Sequence, residues 1–193
     1  MTEELALSKW VKMLKLESLP NILTTLRIVL SFLLLALILY GAWILPPPIH
    51  PTWINYFACL VFCVASITDF FDGFIARTFN VSSVFGEIFD PLADKLLMLA
   101  ALIGLLVWNR ADVWAVFLIL SREFFITGLR VVAASKGIKV AASNLGKYKT
   151  GLQITAIAFL FMDYSFANAT LWLAVALTLY SGFDYVRMYV KAR

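Results

Sequence analysis

The sequence has few of the residues that build soluble folds, disulfide frameworks or zinc sites. Only 15% of its 193 residues are charged, 62% are hydrophobic, and there are 2 cysteines and 1 histidine. The apolar share exceeds the roughly 45–50% of soluble domains, which excludes a water-soluble globule. Cys59 and Cys63 lie in one apolar run and His50 stands in a proline-rich segment, so we expect neither a disulfide nor a zinc site.

Long apolar stretches are abundant instead. An apolar helix needs about 20 residues to cross the hydrocarbon core of a bilayer, so the chain has room for about six crossings and little else. Six stretches fit: Asn21–Leu45, Trp53–Phe74, Val84–Trp108, Val113–Ala134, Gly151–Met162 with some extension, and Ala167–Tyr189. The sequence therefore predicts an all-α integral membrane protein whose six transmembrane helices form one domain over residues 21–193.

Residues 1–20 form a separate, charged segment. Leu7, Trp10, Val11 and Leu14 recur at helical spacing, with lysines on the opposite side. This pattern favours an amphipathic helix lying on the inner leaflet over a frayed tail. The segment has no apolar core followed by a small-residue cleavage site, so we do not expect a signal peptide.

Positive charge indicates the orientation. If the amino terminus is inside, all but one of the 16 Lys and Arg residues fall on the cytoplasmic side, and only Arg110 lies outside. Because Lys and Arg in short loops stay cytoplasmic, both termini are predicted to face the cytoplasm.

Four aspartates interrupt the apolar pattern. Asp69 and Asp72 are three apart at the inner end of the second stretch, and Asp90 and Asp94 are four apart at the inner start of the third. Each pair shares one helix face, and the short connection 78–85 allows the two faces to meet. Hydrated helix ends are the alternative, but one charge at the membrane centre costs about 2.5–3.5 kcal/mol, so gathered carboxylates need cations. Oxygen-only sites suit Mg²⁺ or Mn²⁺, and two such ions typically clamp a phosphoryl group.

Neighbouring residues also point to phosphate chemistry. Gly73 and Gly86 lack side chains, so a bulky ligand can approach the backbone there. Arg77 lies two helical turns beyond Asp69, where its guanidinium can contact a phosphate.

The segment D-F-F-D-G-F-I-A-R at 69–77, followed after eight residues by G-E-I-F-D-P-L-A-D at 86–94, closely resembles the signature of the CDP-alcohol phosphotransferase family. Segments 19–28, 121–130 and 146–150 are similar to the bacterial phosphatidylglycerophosphate synthases of that family. The resemblance implies six membrane helices, a cytosol-facing site, a homodimer and a bacterial inner membrane. It also implies transfer of a phosphatidyl group from CDP-diacylglycerol to sn-glycerol 3-phosphate, with release of CMP.

The resemblance assigns roles to individual residues. Asp69, Asp72 and Asp90 are expected to hold one Mg²⁺, and Asp69, Asp90 and Asp94 the second, with Asp94 also acting as the general base. The expected CDP-diacylglycerol contacts are Asn21, Thr24, Gly73, Arg77, Ser83 and Gly86.

The acceptor site is inferred from charge, because glycerol 3-phosphate arrives as a dianion. The candidate phosphate contacts are Arg122, Arg130, Lys147 and Lys149. For loop lysines, the alternative is that they only enforce topology or attract anionic membrane lipids.

Three other functions remain open at this point. The acceptor can be inositol phosphate or serine, or the protein can be a cation transporter or a non-catalytic scaffold. The apolar stretches Leu96–Val107 and Phe32–Leu39 argue against an ion path across the membrane. Membrane lipids are expected partners, and nucleic acid is not.

Overall fold

The computed structural model describes the backbone of residues 2–44, 52–79, 84–138 and 144–192, with side chains for 21–41, 43, 52–68, 89–138 and 145–192. Over these residues the chain forms helices and no strands, which confirms the all-α class. The helices are α1 (Thr2–Ile44), α2 (Thr52–Phe79), α3 (Val84–Val107), α4 (Val113–Ser135), α5 (Asn144–Phe161) and α6 (Ala167–Ala192).

Three helices extend beyond the apolar stretches predicted for them. α2 was expected to end at Phe74 and ends at Phe79. α1 is one helix of 43 residues, so its backbone has no break where residues 1–20 were expected to separate from the first span. Residues 2–19 consist largely of good helix formers and lack glycine and proline, which explains the continuity. α5 begins at Asn144, so the extension expected before Gly151 is seven residues long and includes Lys147 and Lys149.

Membrane-spanning character is clearest in two helices. Asn21–Gly41 of α1 and Ala167–Ala192 are long and apolar enough to cross a bilayer, and Thr52–Thr68 of α2 is a shorter apolar stretch. α4 has the length but carries Arg122, Glu123 and Arg130 within it. Length and composition thus support membrane association, and the six-span topology stays a prediction.

The chain divides into two compact units. The first comprises Met1–Pro46 and Leu60–Ala101, and the second comprises Pro47–Cys59 and Leu102–Arg193.

In the first unit, α1 buries a partly polar stripe. Thr24, Arg27, Ser31, Leu34 and Ile38 recur every three or four residues and are buried. Many other large apolar side chains of the same helix are exposed, among them Ile22, Leu26, Val29, Phe32, Leu33, Leu39 and Tyr40. Polar groups inside and apolar groups outside are the reverse of a helix on a soluble protein, so this surface suits lipid.

In the second unit, α6 packs against both α4 and α5. Its buried face consists mostly of small and medium side chains: Ala167, Leu171, Ala174, Val175, Thr178, Ser181, Gly182, Tyr185 and Tyr189. Small residues let helices approach closely, and Gln153 of α5 donates a 2.8 Å hydrogen bond to the Thr178 hydroxyl. α6 is therefore the helix that organises this unit. Cys59 and Cys63, both partly buried, are not joined in a disulfide.

Arg110 joins two turns of the second unit. Its Nη1 donates to the Phe161 carbonyl at 3.0 Å, its Nε lies 3.7 Å from the Asp163 carboxylate, and its guanidinium lies 4.8 Å from the Trp108 ring centre. Asn109 and Asp163 turn the chain with φ of 56° and 58°. The one basic residue predicted outside thus satisfies a helix-terminal carbonyl.

Candidate active site

Two of the four signature aspartates lie on α3 within the first unit. Asp90 accepts a hydrogen bond from the Thr24 hydroxyl of α1, and Thr24 is fully buried. The Asp94 side chain is 36% exposed, with its carboxylate 3.7 Å from the Lys95 ammonium. One carboxylate is thus oriented by a buried hydroxyl, and the other is open to a ligand.

The other half of the predicted carboxylate group lies outside the described side chains. Asp69, Asp72, Gly73 and Arg77 belong to α2, whose backbone is helical to Phe79, five residues beyond the predicted end at Phe74. Ser83 is outside the described residues, and Gly86 is described only as part of the α3 backbone.

Among the side chains that the structure does describe, no three His, Cys, Asp or Glu residues form a metal-binding group. The grouping of all four aspartates therefore stays a prediction.

The described carboxylates fit a hard cation. Asp90 and Asp94 are one helical turn apart on α3, and both present only oxygen ligands. A carboxylate has about four lone-pair sites, so Asp90 retains free sites beyond the hydrogen bond from Thr24. Proline at position 91, between them in the sequence, has no N–H to donate to the helical hydrogen-bond pattern.

The structure gives Thr24 a partner that the sequence did not indicate. Thr24 was predicted to contact CDP-diacylglycerol, but its buried hydroxyl donates to Asp90. Asn21, its predicted companion, is partly exposed, and its carbonyl accepts a 2.8 Å bond from Thr25. Thr24 is therefore placed to orient a carboxylate.

The second unit contains a buried cluster of charges on three helices. Glu123 of α4 is 5% exposed and accepts from the Lys149 ammonium of α5 and from Nη1 of Arg122, the latter at 3.3 Å. Nη2 of Arg122 also donates to the Ser181 hydroxyl of α6 at 3.1 Å. We call Arg122, Glu123, Lys149 and Ser181 the α4–α6 cluster.

This cluster retains positive charge. Counted over its own four side chains, the cluster holds two cations and one carboxylate, in a buried setting where electrostatic interactions are strong. A cluster of this kind can bind an anion.

The predicted acceptor contacts divide into two pairs. Arg122 and Lys149 meet in the α4–α6 cluster. Arg130 and Lys147 are exposed, and the Arg130 guanidinium lies 5.3 Å from the ring centre of Tyr185.

Sequence reasoning did not find Ser181 and Gly182. The available signal was a Ser-Gly pair in an apolar helix, at helical spacing from Thr178 and Tyr185.

The chain is also similar in sequence to known proteins. The sequence pattern that defines the CDP-alcohol phosphatidyltransferases matches residues 17–180. The chain belongs to this family. The match contains every predicted site residue and ends one residue before Ser181.

Members of the family from several bacteria resemble the chain closely. A Bacillus subtilis protein named CDP-diacylglycerol–glycerol-3-phosphate 3-phosphatidyltransferase is 46% identical over 134 residues, 65% of this chain and 69% of that protein. A Rickettsia felis protein of the same name is 37% identical over 181 residues, 89% of this chain and 94% of its own length. A Mycobacterium tuberculosis protein named probable phosphatidylglycerophosphate synthase is 36% identical over 177 residues, 89% of this chain and 81% of its own length.

Proposed function

We propose that this protein transfers the phosphatidyl group of CDP-diacylglycerol to sn-glycerol 3-phosphate. The products are phosphatidylglycerophosphate and CMP, and the reaction belongs to phospholipid biosynthesis. The observation that carries the proposal is the family membership together with similarity, over most of the chain, to relatives named for this reaction.

The donor side of the reaction rests on the carboxylates. Asp69, Asp72, Asp90 and Asp94 are the residues that would hold two Mg²⁺ ions, with Mn²⁺ as the alternative. When bound, such ions would neutralise negative charge on the diphosphate of CDP-diacylglycerol. Thr24 keeps Asp90 in one orientation through its hydroxyl.

Asp94 is the proposed general base. A glycerol hydroxyl is a weak nucleophile at neutral pH, so its proton must be removed as its oxygen attacks the β-phosphorus. The partly exposed Asp94 carboxylate accepts that proton. The new oxygen–phosphorus bond forms as the bond to CMP breaks, and CMP leaves with the electron pair.

Substrate binding is proposed to use the remaining predicted residues. Asn21, Gly73, Arg77, Ser83 and Gly86 contact CDP-diacylglycerol. Arg122 and Lys149 attract the acceptor phosphate through the excess charge of the α4–α6 cluster, because a phosphate accepts charge-assisted hydrogen bonds from both. Arg130 and Lys147 add to the positive potential at this anion site.

The membrane arrangement completes the proposal. The protein spans a bacterial inner membrane six times, with cytoplasmic termini, a surface-lying amino-terminal segment and a homodimeric state. The supports are the two long apolar helices, the lipid-suited face of α1 and the uneven distribution of basic residues.

An acceptor panel tests the proposed reaction. Purified protein in detergent receives labelled CDP-diacylglycerol and Mg²⁺ with glycerol 3-phosphate, inositol 1-phosphate or serine, and CMP release is measured. Of the three acceptors, we expect only glycerol 3-phosphate to give rapid CMP release. EDTA should abolish this release, since the aspartates require a divalent cation. Release driven by inositol 1-phosphate or serine would reject the assigned acceptor, and release in EDTA would reject the metal.

A further inference from the structure

α6 shapes the position of Arg122 through a glycine. A Cβ at Gly182 would lie 3.1 Å from both Cγ and Nε of Arg122, closer than ordinary van der Waals contact. The arginine side chain therefore lies against α6 at a position without a side chain. A Cβ at this position requires the Arg122 side chain to shift by a few tenths of an ångström.

Ser181 fixes the direction of the same guanidinium. Its hydroxyl is buried, with the residue 2% exposed, and accepts from Nη2 of Arg122 at 3.1 Å. Nη1 of Arg122 donates to Glu123, so two contacts on different helices define the plane of the group. A planar guanidinium recognises a phosphate only in particular orientations, so this plane matters for binding.

Glu123 brings the two cations together. Without its carboxylate, the Arg122 and Lys149 charges would repel each other in a buried region. With it, both contact the same oxygen atom, Oε1. The two cations of the cluster are then held next to each other at a defined position.

We propose that Glu123, Ser181 and Gly182 are positioning residues that hold Arg122 and Lys149 as a single binding unit for the phosphate monoester of the acceptor. This inference rests on the proposed function, because it assigns the α4–α6 cluster to the acceptor side of that reaction. It adds two residues of α6 that lie beyond the segment matched by the family pattern.

A different role for Glu123 makes the opposite prediction. If Glu123 only neutralises the cations and competes with the phosphate, Glu123→Gln frees positive charge and lowers KM for glycerol 3-phosphate. If Glu123 positions them, the same variant raises KM, because the glutamine amide does not hold two cations.

The test separates KM from kcat. CMP release is measured for wild type, Glu123→Gln, Ser181→Ala and Gly182→Ala while glycerol 3-phosphate and CDP-diacylglycerol are varied in turn. For Glu123→Gln and Ser181→Ala we expect KM for glycerol 3-phosphate to rise about tenfold, the lower end of what one hydrogen bond to a charged group contributes. For Gly182→Ala we expect a smaller rise, since the Arg122 side chain has to shift by only a few tenths of an ångström. KM for CDP-diacylglycerol stays within about twofold, since only the acceptor contact is disturbed.

Matched controls are available on α4. Gly128→Ala adds a Cβ with nothing within 4 Å, and Ser135→Ala removes an exposed hydroxyl bonded to the Val132 carbonyl. Both are expected to retain the wild-type KM for each substrate. A merely structural role for Ser181 and Gly182 would lower kcat or yield without the selective change in KM.

A binding measurement keeps the inference separate from the proposed function. Thermal unfolding of purified protein is followed with and without glycerol 3-phosphate, with inorganic phosphate as a second ligand. We expect both ligands to stabilise wild type and to stabilise the three variants less. Stabilisation without acceptor-dependent CMP release would overturn the proposed reaction but retain the binding unit. Activity and stabilisation unchanged in Ser181→Ala and Gly182→Ala, or tighter binding in Glu123→Gln, would overturn the inference alone.

Discussion

Asp90 and Thr24 show how a distant side chain completes a site. They are 66 positions apart in the sequence, and the helical spacing that pairs Asp90 with Asp94 gives no sign of Thr24. Asp90 and Asp94 were predictable because a four-residue interval in a helix places two groups on one face. The Thr24 contact was not, since it depends on which face of α1 packs against α3.

Removing the Thr24 hydroxyl should selectively weaken Mg²⁺ binding. Thr24→Val keeps the shape of the side chain but leaves Asp90 without its donor. We expect the Mg²⁺ concentration for half-maximal CMP release to rise about tenfold, as is typical when a partner of a metal ligand is lost.

The adjacent Thr25 provides the control for that experiment. It is exposed, and its hydroxyl bonds only locally to the Asn21 carbonyl, so Thr25→Val should keep the wild-type Mg²⁺ dependence. Equal Mg²⁺ dependence for both valine variants would remove Thr24 from its role.

The same contrast holds for the charged residues. Arg122 and Lys149 were chosen because they lie deep in apolar sequence or begin a helix, which is visible without a structure. The hydrogen bond from Arg122 to Ser181 spans 59 positions and depends on how α4 packs against α6. Local pattern therefore finds the charges, and tertiary packing selects their partners.

Among the elements, helices with clear end signals were predicted best. α4 was expected at Val113–Ala134 and is found at Val113–Ser135. Asp112 caps its first turn by accepting from the Ala115 amide at 3.0 Å, and Gly137 follows its end with a φ of +68°. α1 and α5 begin before the apolar stretches predicted for them, because apolar content locates a membrane core and polar helical turns extend beyond it.

The turn between α5 and α6 gives a prediction at this scale. Arg110→Ala removes the donor to the Phe161 carbonyl and the ion pair with Asp163. We expect the unfolding temperature in detergent to fall by several degrees, since a hydrogen bond from a charged donor contributes about 1.5–3 kcal/mol.

Activity per folded molecule should not change in Arg110→Ala, because the contacts of Arg110 within the described residues lie in the turns of the second unit and include neither a signature aspartate nor a member of the α4–α6 cluster. Arg187→Ala, an exposed position on α6, is the matched control and should unfold at the wild-type temperature. An unfolding temperature for Arg110→Ala equal to that of Arg187→Ala would show that the contact adds no stability.

At the scale of the whole molecule, the signature aspartates and the α4–α6 cluster belong to different units. The four signature aspartates fall within Leu60–Ala101 of the first unit, and the α4–α6 cluster falls within the second. Composition predicted a helical membrane protein, and motif spacing predicted the family, because both are properties of short stretches of sequence. The contacts of Thr24, Ser181 and Gly182 required packed helices.

Metal binding by the four aspartates is the central claim for the molecule as a whole. If the four carboxylates lie together as predicted, they repel one another without divalent cations, and phosphoryl transfer loses its charge compensation. Metal binding is therefore expected before any substrate is present as well as during the reaction.

The most direct measurement is a titration of purified, metal-free protein with Mn²⁺, with free Mn²⁺ followed by electron paramagnetic resonance. The account predicts saturable binding that approaches two ions per chain, as a two-metal site requires, and competition by Mg²⁺. A variant with Asp69, Asp72, Asp90 and Asp94 all replaced by Asn should bind none while it remains folded. Equal Mn²⁺ binding by wild type and this variant would contradict the account.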